Sequence, residues 1–139
     1  TITRIDSTTE TKADKKRTGM GRKHIGPCGL YRCDGYISDN LARKTTGYSQ
    51  EDLKLLWQAI LNMFENDRSA ARGKMAVREL IVFKHDSELG YAPAWKLFDA
   101  VKVVRKDPQA ISPARAYADY AVTVDEDALP AGVTCTRMG

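Results

Sequence analysis

The spacing of apolar residues predicts one long helix in the middle of the chain. Ser49 is followed three positions later by Asp52, a capping-box pattern that starts a helix. From there, apolar residues recur at the i, i+3, i+4, i+7, i+8 and i+11 spacing of a helix that packs on one face. They are Leu53, Leu56, Trp57, Ile60, Leu61 and Phe64. We therefore predict a helix over 49–66 whose apolar stripe belongs to a core.

Other stretches are typical of β-strands and short helices. Residues 2–9 alternate apolar and polar positions, as in a half-buried strand. β-forming residues return over 24–38, where several glycines predict a long strand that is bent, bulged or at an edge. After the long helix, the pattern predicts strands over 77–84 and 101–105 and in the segments 117–125 and 132–138. It also predicts short helices at 39–44 and 93–100 and a loop over 107–116.

The order strand, long helix, strand is half of a split β-α-β unit, which builds ferredoxin-like sheets. We therefore predict an α+β chain: an RRM/ferredoxin-like partial domain with an antiparallel sheet and one long packed helix. A sheet made of this half alone has a bare edge, which proteins cover or pair. The chain also opens as a strand, without an initiator methionine. We expect a preceding half to supply the partner strands.

Positive charge is concentrated in one segment, 10–24, which we call the basic segment. It holds six basic residues against Glu10 and Asp14, a net charge of +4 that equals the net charge of all 139 residues. Such concentration favours a polyanionic partner, nucleic acid or anionic lipid. The alternative is a solvated loop without a partner. No apolar run reaches membrane-spanning length, and we expect no membrane partner.

A second basic stretch follows the long helix in the sequence RSAARGK. Arg68, Arg72 and Lys74 stand here among small residues that let a phosphate approach the backbone. The same residues could instead terminate the helix, since cations suit its negative end. Two tyrosines, Tyr31 and Tyr36, follow the basic segment and could stack on bases or belong to the core.

Catalytic and metal-binding patterns are not evident. The three cysteines do not have the spacing of a disulfide framework or of a zinc site, although His24, Cys28, Cys33 and Asp34 lie near each other in sequence. We expect reduced, partly buried thiols in a cytoplasmic protein without a metal or cofactor. His85 stands beside Asp86, and we interpret it as a satisfied polar residue at a strand end rather than a catalytic base.

Three long motifs closely resemble one known family. They are RTGMGRKHIGPCGLYRCDGYIS, LLWQAILNMFENDRSAARGKMAVRELIVFKHDSELG and APAWKLFD. They are similar to the backbone subunit of type I-C (Dvulg subtype) CRISPR interference complexes, in the RAMP superfamily. The resemblance runs over essentially the whole chain, and we expect residues 1–139 to correspond to the C-terminal part of one RRM-like palm domain.

The resemblance implies a non-enzymatic subunit that polymerises along CRISPR guide RNA in a prokaryotic cytoplasm. It implies contacts to other copies of the subunit, to the guide-processing and large Cascade subunits, and to target DNA through the guide. The segment 10–24 would be a thumb-like hairpin or loop, and the turn after the long helix would lie near the RNA face. The candidate RNA-binding residues are Lys15, Lys16, Arg17, Arg22, Lys23, His24, Arg68, Arg72 and Lys74.

Two alternatives stay open at this point. One is a metal-dependent relative in the same superfamily that cleaves target RNA, for which this chain offers no candidate acid. The other is a scaffold that oligomerises through its sheet edge without binding RNA.

Guide binding that ignores spacer sequence requires phosphate and sugar contacts, which lysine and arginine on a glycine-flanked segment supply.

Overall fold

The computed structural model describes residues 2–4, 19–21, 26, 28–68 and 73–139, and for 2–4 and 19–21 it describes the backbone only. Strand β1 (Ile2–Arg4) pairs antiparallel with β2 (Gly19–Gly21), with Ile2 opposite Gly21. The strand predicted over 2–9 is confirmed for its first part, and residues 5–9 lie outside the described residues. The pairing brings together the two ends of the stretch 5–18.

The long strand predicted over 24–38 is wrong for the described residues 26 and 28–38, which form no strand or helix. Glycines interrupt this segment. At Gly29, the Tyr31 ring lies 3.1 Å from the position that a Cβ atom would occupy. The segment is held instead by side chains, because Arg32 binds backbone carbonyls far along the chain. The predicted β-α-β order therefore lacks its first strand among the described residues.

The short helix predicted at 39–44 is confirmed. Helix α1 (Asp39–Leu41) continues directly into a π-helical turn, Ala42–Thr46. The Ser38 hydroxyl accepts a hydrogen bond from the Leu41 amide at 3.4 Å. Gly47 ends the turn with a φ of +66°, a left-handed conformation in which a glycine carries no Cβ strain.

The long helix is confirmed as α2 (Gln50–Asn66). Its capping box is complete, since the Asp52 amide donates to the Ser49 hydroxyl at 3.2 Å and the Ser49 amide donates to the Asp52 carboxylate at 2.8 Å. The six residues of the predicted stripe are partly shielded from solvent, and every other residue of α2 is exposed. None of the stripe residues is fully buried.

Removing the capping hydrogen bonds should destabilise the protein in a pH-dependent way. The Ser49 amide, and then the Ser49 hydroxyl, hold the pKa of Asp52 below its ordinary value of 3.8. A lowered carboxyl pKa contributes stability above the unfolded value, and that stability is lost as the pH falls through the folded value. We expect Asp52→Asn to lower the Tm by about 4 °C at pH 7, and this loss should shrink as the pH falls below 3.8.

Glu51→Gln is the matched control, because Glu51 lies in the same first turn but takes no part in the capping bonds. It should lower the Tm by less, as measured by thermal unfolding followed by circular dichroism. Equal losses for the two variants at pH 7, or an Asp52→Asn loss that does not shrink as the pH falls below 3.8, would contradict this account of the cap.

The C-terminal half contains two antiparallel strand pairs. Strand β3 (Leu80–His85) pairs along its whole length with β6 (Val133–Met138), and β4 (Val101–Arg105) pairs with β5 (Tyr120–Val124). Helix α3 (Ala94–Ala100) leads directly into β4, and 3-10 turns occupy Tyr117–Asp119 and Glu126–Ala128. All four strands and α3 lie where the sequence predicted them. Among the described residues, only Leu97 and Ala100 of α3 are fully buried.

A polar cluster centred on Glu79 joins the two strand pairs. Its carboxylate accepts hydrogen bonds from Tyr117 Oη at 3.1 Å and from Arg137 Nε. Arg137 on β6 also donates to the Val122 carbonyl on β5 at 3.2 Å, and the Arg78 guanidinium lies 4.9 Å from the Tyr117 ring centroid. The predicted α+β architecture, with antiparallel sheets and one long helix, is confirmed.

Candidate nucleic-acid interface

The basic segment is the candidate interface that the sequence favours most. Lys15, Lys16 and Arg17 stand in the sequence between the paired strands β1 and β2. Arg22 follows directly after β2. The side chains of Lys15, Lys16, Arg17, Arg22, Lys23 and His24 lie outside the described residues, and their roles stay predictions.

The turn after α2 is described in part. Arg68 donates to the Glu65 carbonyl at 3.2 Å and to the Glu65 carboxylate at 3.3 Å, which places its charge at the helix C-terminus. Its side chain is still 76% exposed. Lys74 is exposed beside Gly73, whose φ is +69°. Arg72 lies outside the described residues. Arg68 thus takes part in ending the helix, and phosphate binding at this turn stays a prediction.

Arginine and lysine are used differently in the described part of the chain. Arginine side chains other than Arg115 contact carboxylates, carbonyls or aromatic rings; they are Arg32, Arg43, Arg68, Arg78, Arg105 and Arg137. The described lysines are all exposed, and none of their side chains makes an ion pair or a hydrogen bond to the described protein. The surface charge available to a polyanion therefore comes largely from lysine.

Arg32 anchors the irregular segment 28–38 onto α3. Its guanidinium donates to the Phe98 carbonyl at 2.9 Å and to the Val101 carbonyl at 3.4 Å, at the negative end of the helix. Its Nε also pairs with Asp34 at 2.8 Å. These contacts fix the position of the segment without a strand ladder.

Tyr31 and Tyr36 both face solvent. The sequence alone was compatible with either a core role or a base-stacking role for them. The side chains of Tyr31 and Tyr36 are 86% and 74% exposed. The Tyr36 ring meets Phe98 edge-on, with 5.3 Å between the ring centroids and an interplanar angle of 70°. Trp95, one turn before Phe98 on α3, is 60% exposed, and Lys96 Nζ lies 5.6 Å from its ring. We call Tyr36, Trp95 and Phe98 the aromatic surface.

Sequence reasoning missed the part that α3 plays in this surface. Leu97 and Ala100, three positions apart, already supply the buried face of this short helix. Trp95 and Phe98, with the same spacing, form a second apolar face that one core does not require. This second apolar face was visible in the sequence and could have indicated an aromatic surface on α3.

Cysteine and histidine residues do not extend the candidate site. Cys28 and Cys33 are exposed, so the expected partial burial of these thiols is wrong, because the strand that would have shielded them does not form. Cys135 is partly buried, which raises the pKa of its thiol. His85 Nδ1 accepts a hydrogen bond from the Tyr91 amide at 3.0 Å, which agrees with the structural interpretation of His85. The described residues contain no group of three potential metal ligands, and none of their helices has the length and apolar character to cross a membrane.

The family model for the CRISPR-associated protein Cas7 matches residues 1–125, which include the basic segment, α2 and the aromatic surface. The chain belongs to the Cas7 family. No curated protein matches it. Membership confirms the resemblance at the level of Cas7, a family of CRISPR backbone subunits that bind CRISPR RNA. The antiparallel strand pairs and helices of the described residues are compatible with a partial domain of this family's ferredoxin-like type.

Proposed function

We propose that this Cas7 protein is the non-catalytic backbone subunit of a type I-C interference complex. In this role, copies of the chain polymerise along the guide RNA in a prokaryotic cytoplasm, so that the guide can pair with target DNA. The guide-processing and large subunits of the complex bind the same assembly. The type I-C assignment rests on the three long motifs that resemble that subtype.

The observation that carries this proposal is the location of the charge. The whole net charge of +4 falls on 10–24, and β2, which lies within that segment, pairs with β1. A cationic segment can neutralise phosphates without reading bases, which is what a guide of arbitrary sequence requires. The unpaired lysines of the described surface add to the same electrostatic attraction.

Binding of single-stranded RNA should therefore be insensitive to sequence and strongly sensitive to salt. We expect the purified full chain to bind two labelled RNAs of unrelated sequence with affinities within about threefold of each other. The logarithm of the association constant should fall linearly with the logarithm of the salt concentration, by about 0.7 for each neutralised phosphate. Fluorescence anisotropy over a salt series measures both quantities.

The same preparation distinguishes the competing functions. Incubation with Mg²⁺ or Mn²⁺ and a complementary RNA should leave that RNA intact, and metal-dependent fragments would instead indicate an RNA-cleaving relative. A concentration-dependent oligomer that forms without RNA and is indifferent to salt would indicate a scaffold. Assembly on a guide with the other type I-C subunits, but not with those of another subtype, would establish the subtype.

A further inference from the structure

The aromatic surface has more exposed ring area than folding requires. Tyr36 and Trp95 are 74% and 60% exposed, although residues of this size bury about 150–250 Å² each in a core or an interface. Trp95 and Phe98 lie one helical turn apart, so their Cβ atoms are neighbours on one face of α3. Clustered exposed rings of this kind mark a binding surface rather than a folding core.

The rings are held in place before any partner binds. Tyr36 packs edge-on against Phe98, and the Arg32 guanidinium lies 5.9 Å from the Phe98 ring centroid. Arg32 is itself fixed by its bonds to the carbonyls of Phe98 and Val101. Because the segment that carries Tyr36 is anchored to α3, a ligand that stacks here loses little free energy to ordering the surface.

Charge and chain position indicate which ligand fits. Lys96 places a cation 5.6 Å from the Trp95 ring and has no ion-pair partner among the described residues. The segment bearing Tyr36 follows the basic segment directly in the chain. A ligand with flat rings and a polyanionic backbone satisfies both features. Single-stranded nucleic acid is that ligand, because every base presents a π-face and base–aromatic stacking tolerates any sequence.

We propose that Tyr36 and Trp95 stack on unpaired bases of the RNA that this protein binds. This inference rests on the proposed function, and it assigns a base-contacting role to an irregular segment and a short helix. Phe98 and Arg32 position the Tyr36 ring and do not touch the RNA bases themselves.

The two tryptophans of the chain allow a direct test. In a Trp57→Phe background, Trp95 is the only tryptophan, so its emission reports on stacking. Titration with an oligoadenylate of about 15 nucleotides should quench this emission, and the quenching should follow the binding curve measured by anisotropy. Trp95→Leu and Tyr36→Leu should each weaken RNA binding by about tenfold, and Trp95→Phe by much less because its ring is retained.

The salt dependence separates stacking from charge. Stacking releases no counterions, so the leucine variants should keep the slope of the wild-type protein while losing affinity. Tyr31→Leu is the matched control, since Tyr31 is an exposed tyrosine of the same segment without a ring contact to α3. It should bind RNA like the wild-type protein.

Each remaining outcome rejects the inference in a recognisable way. RNA binding by the Trp57→Phe protein without quenching of Trp95, or equal losses for Trp95→Phe and Trp95→Leu, would leave the proposed function intact and refute stacking. Failure of the wild-type protein to bind oligoadenylate or any other RNA would refute both. Circular dichroism of each variant confirms that a loss of binding is not a loss of folding.

Discussion

Replacing Lys15, Lys16, Arg17, Arg22 and Lys23 together by alanine should weaken RNA binding by about a thousandfold at 0.1 M salt. The slope of log affinity against log salt should become less steep by about 3.5, which is 0.7 for each of five lost phosphate contacts on a single strand. The physical reason is counterion release: a phosphate that meets no cation keeps its condensed counterions. Anisotropy titrations at four or more salt concentrations measure both changes.

A control variant with the same change in net charge tests whether the location of these cations matters. Lys44, Lys54, Lys84, Lys102 and Lys106 are exposed and lie outside the basic segment. Their joint replacement by alanine changes the net charge by the same amount, so general attraction would be reduced equally. We expect this control to lose far less affinity. Similar losses in both variants, or a slope that the first variant leaves unchanged, would remove the basic segment from the interface.

Replacing Glu79 by alanine should produce the largest loss of stability among single substitutions that leave the apolar residues in place. The Glu79 side chain is only 16% exposed and accepts hydrogen bonds from Tyr117, in the 3-10 turn that leads into β5, and from Arg137 on β6. Its loss leaves both donors without their acceptor. We expect a cost of about 2 kcal/mol, within the range for hydrogen bonds to charged groups, and a Tm lower by roughly 6 °C.

Glu126→Ala is the matched control for this prediction. Glu126 is exposed, and its side chain makes no hydrogen bond or ion pair with the residues that the structure describes, so removing that side chain should change the Tm by less than about 1 °C. A double-mutant cycle with Tyr117→Phe measures the coupling, which should exceed about 0.5 kcal/mol for residues in contact. Additive effects would mean that Glu79 and Tyr117 do not act together.

The same cluster predicts how stability changes at alkaline pH. Burial, and then the hydrogen bond to Glu79, raise the pKa of Tyr117 above its ordinary value of 10.0. A raised pKa means that the folded state holds this proton more tightly, so the contribution is complete below the unfolded value and is lost as the pH rises through the folded value. Tyr117→Phe should therefore unfold with a weaker pH dependence above pH 10.

Local signals were sufficient for the elements that are stabilised locally. Helix α2 was predicted with its cap and its stripe because the capping box and the helical spacing both lie within the helix. Strands β3 to β6 were also predicted, since they are short runs of β-forming residues; in β3 the run LIVF is apolar on both faces. The residues of α2 that are shielded from solvent are those of the predicted stripe.

The conformation of the segment 28–38 could not be predicted from local sequence patterns. Its β-forming residues predicted a strand, but its position is set by Arg32, which binds carbonyls of Phe98 and Val101, more than sixty residues later. No local pattern reports a contact over that separation. The same limit applies to the candidate site: the sequence offered Tyr31 and Tyr36 equally, and only the contact with Phe98 distinguishes them.

The different use of the two basic residue types allows the surface to be altered without altering the fold. Arginines take part in the contacts that join helix ends, loops and strand pairs, whereas the described lysines extend into solvent. Acetylation of lysine removes its charge and would break none of the described ion pairs or side-chain hydrogen bonds; among the described contacts it would affect only the approach of Lys96 to the Trp95 ring. Enzymatic or chemical acetylation of successive lysines could therefore lower the affinity for a polyanion in steps and reversibly, while the protein stays folded.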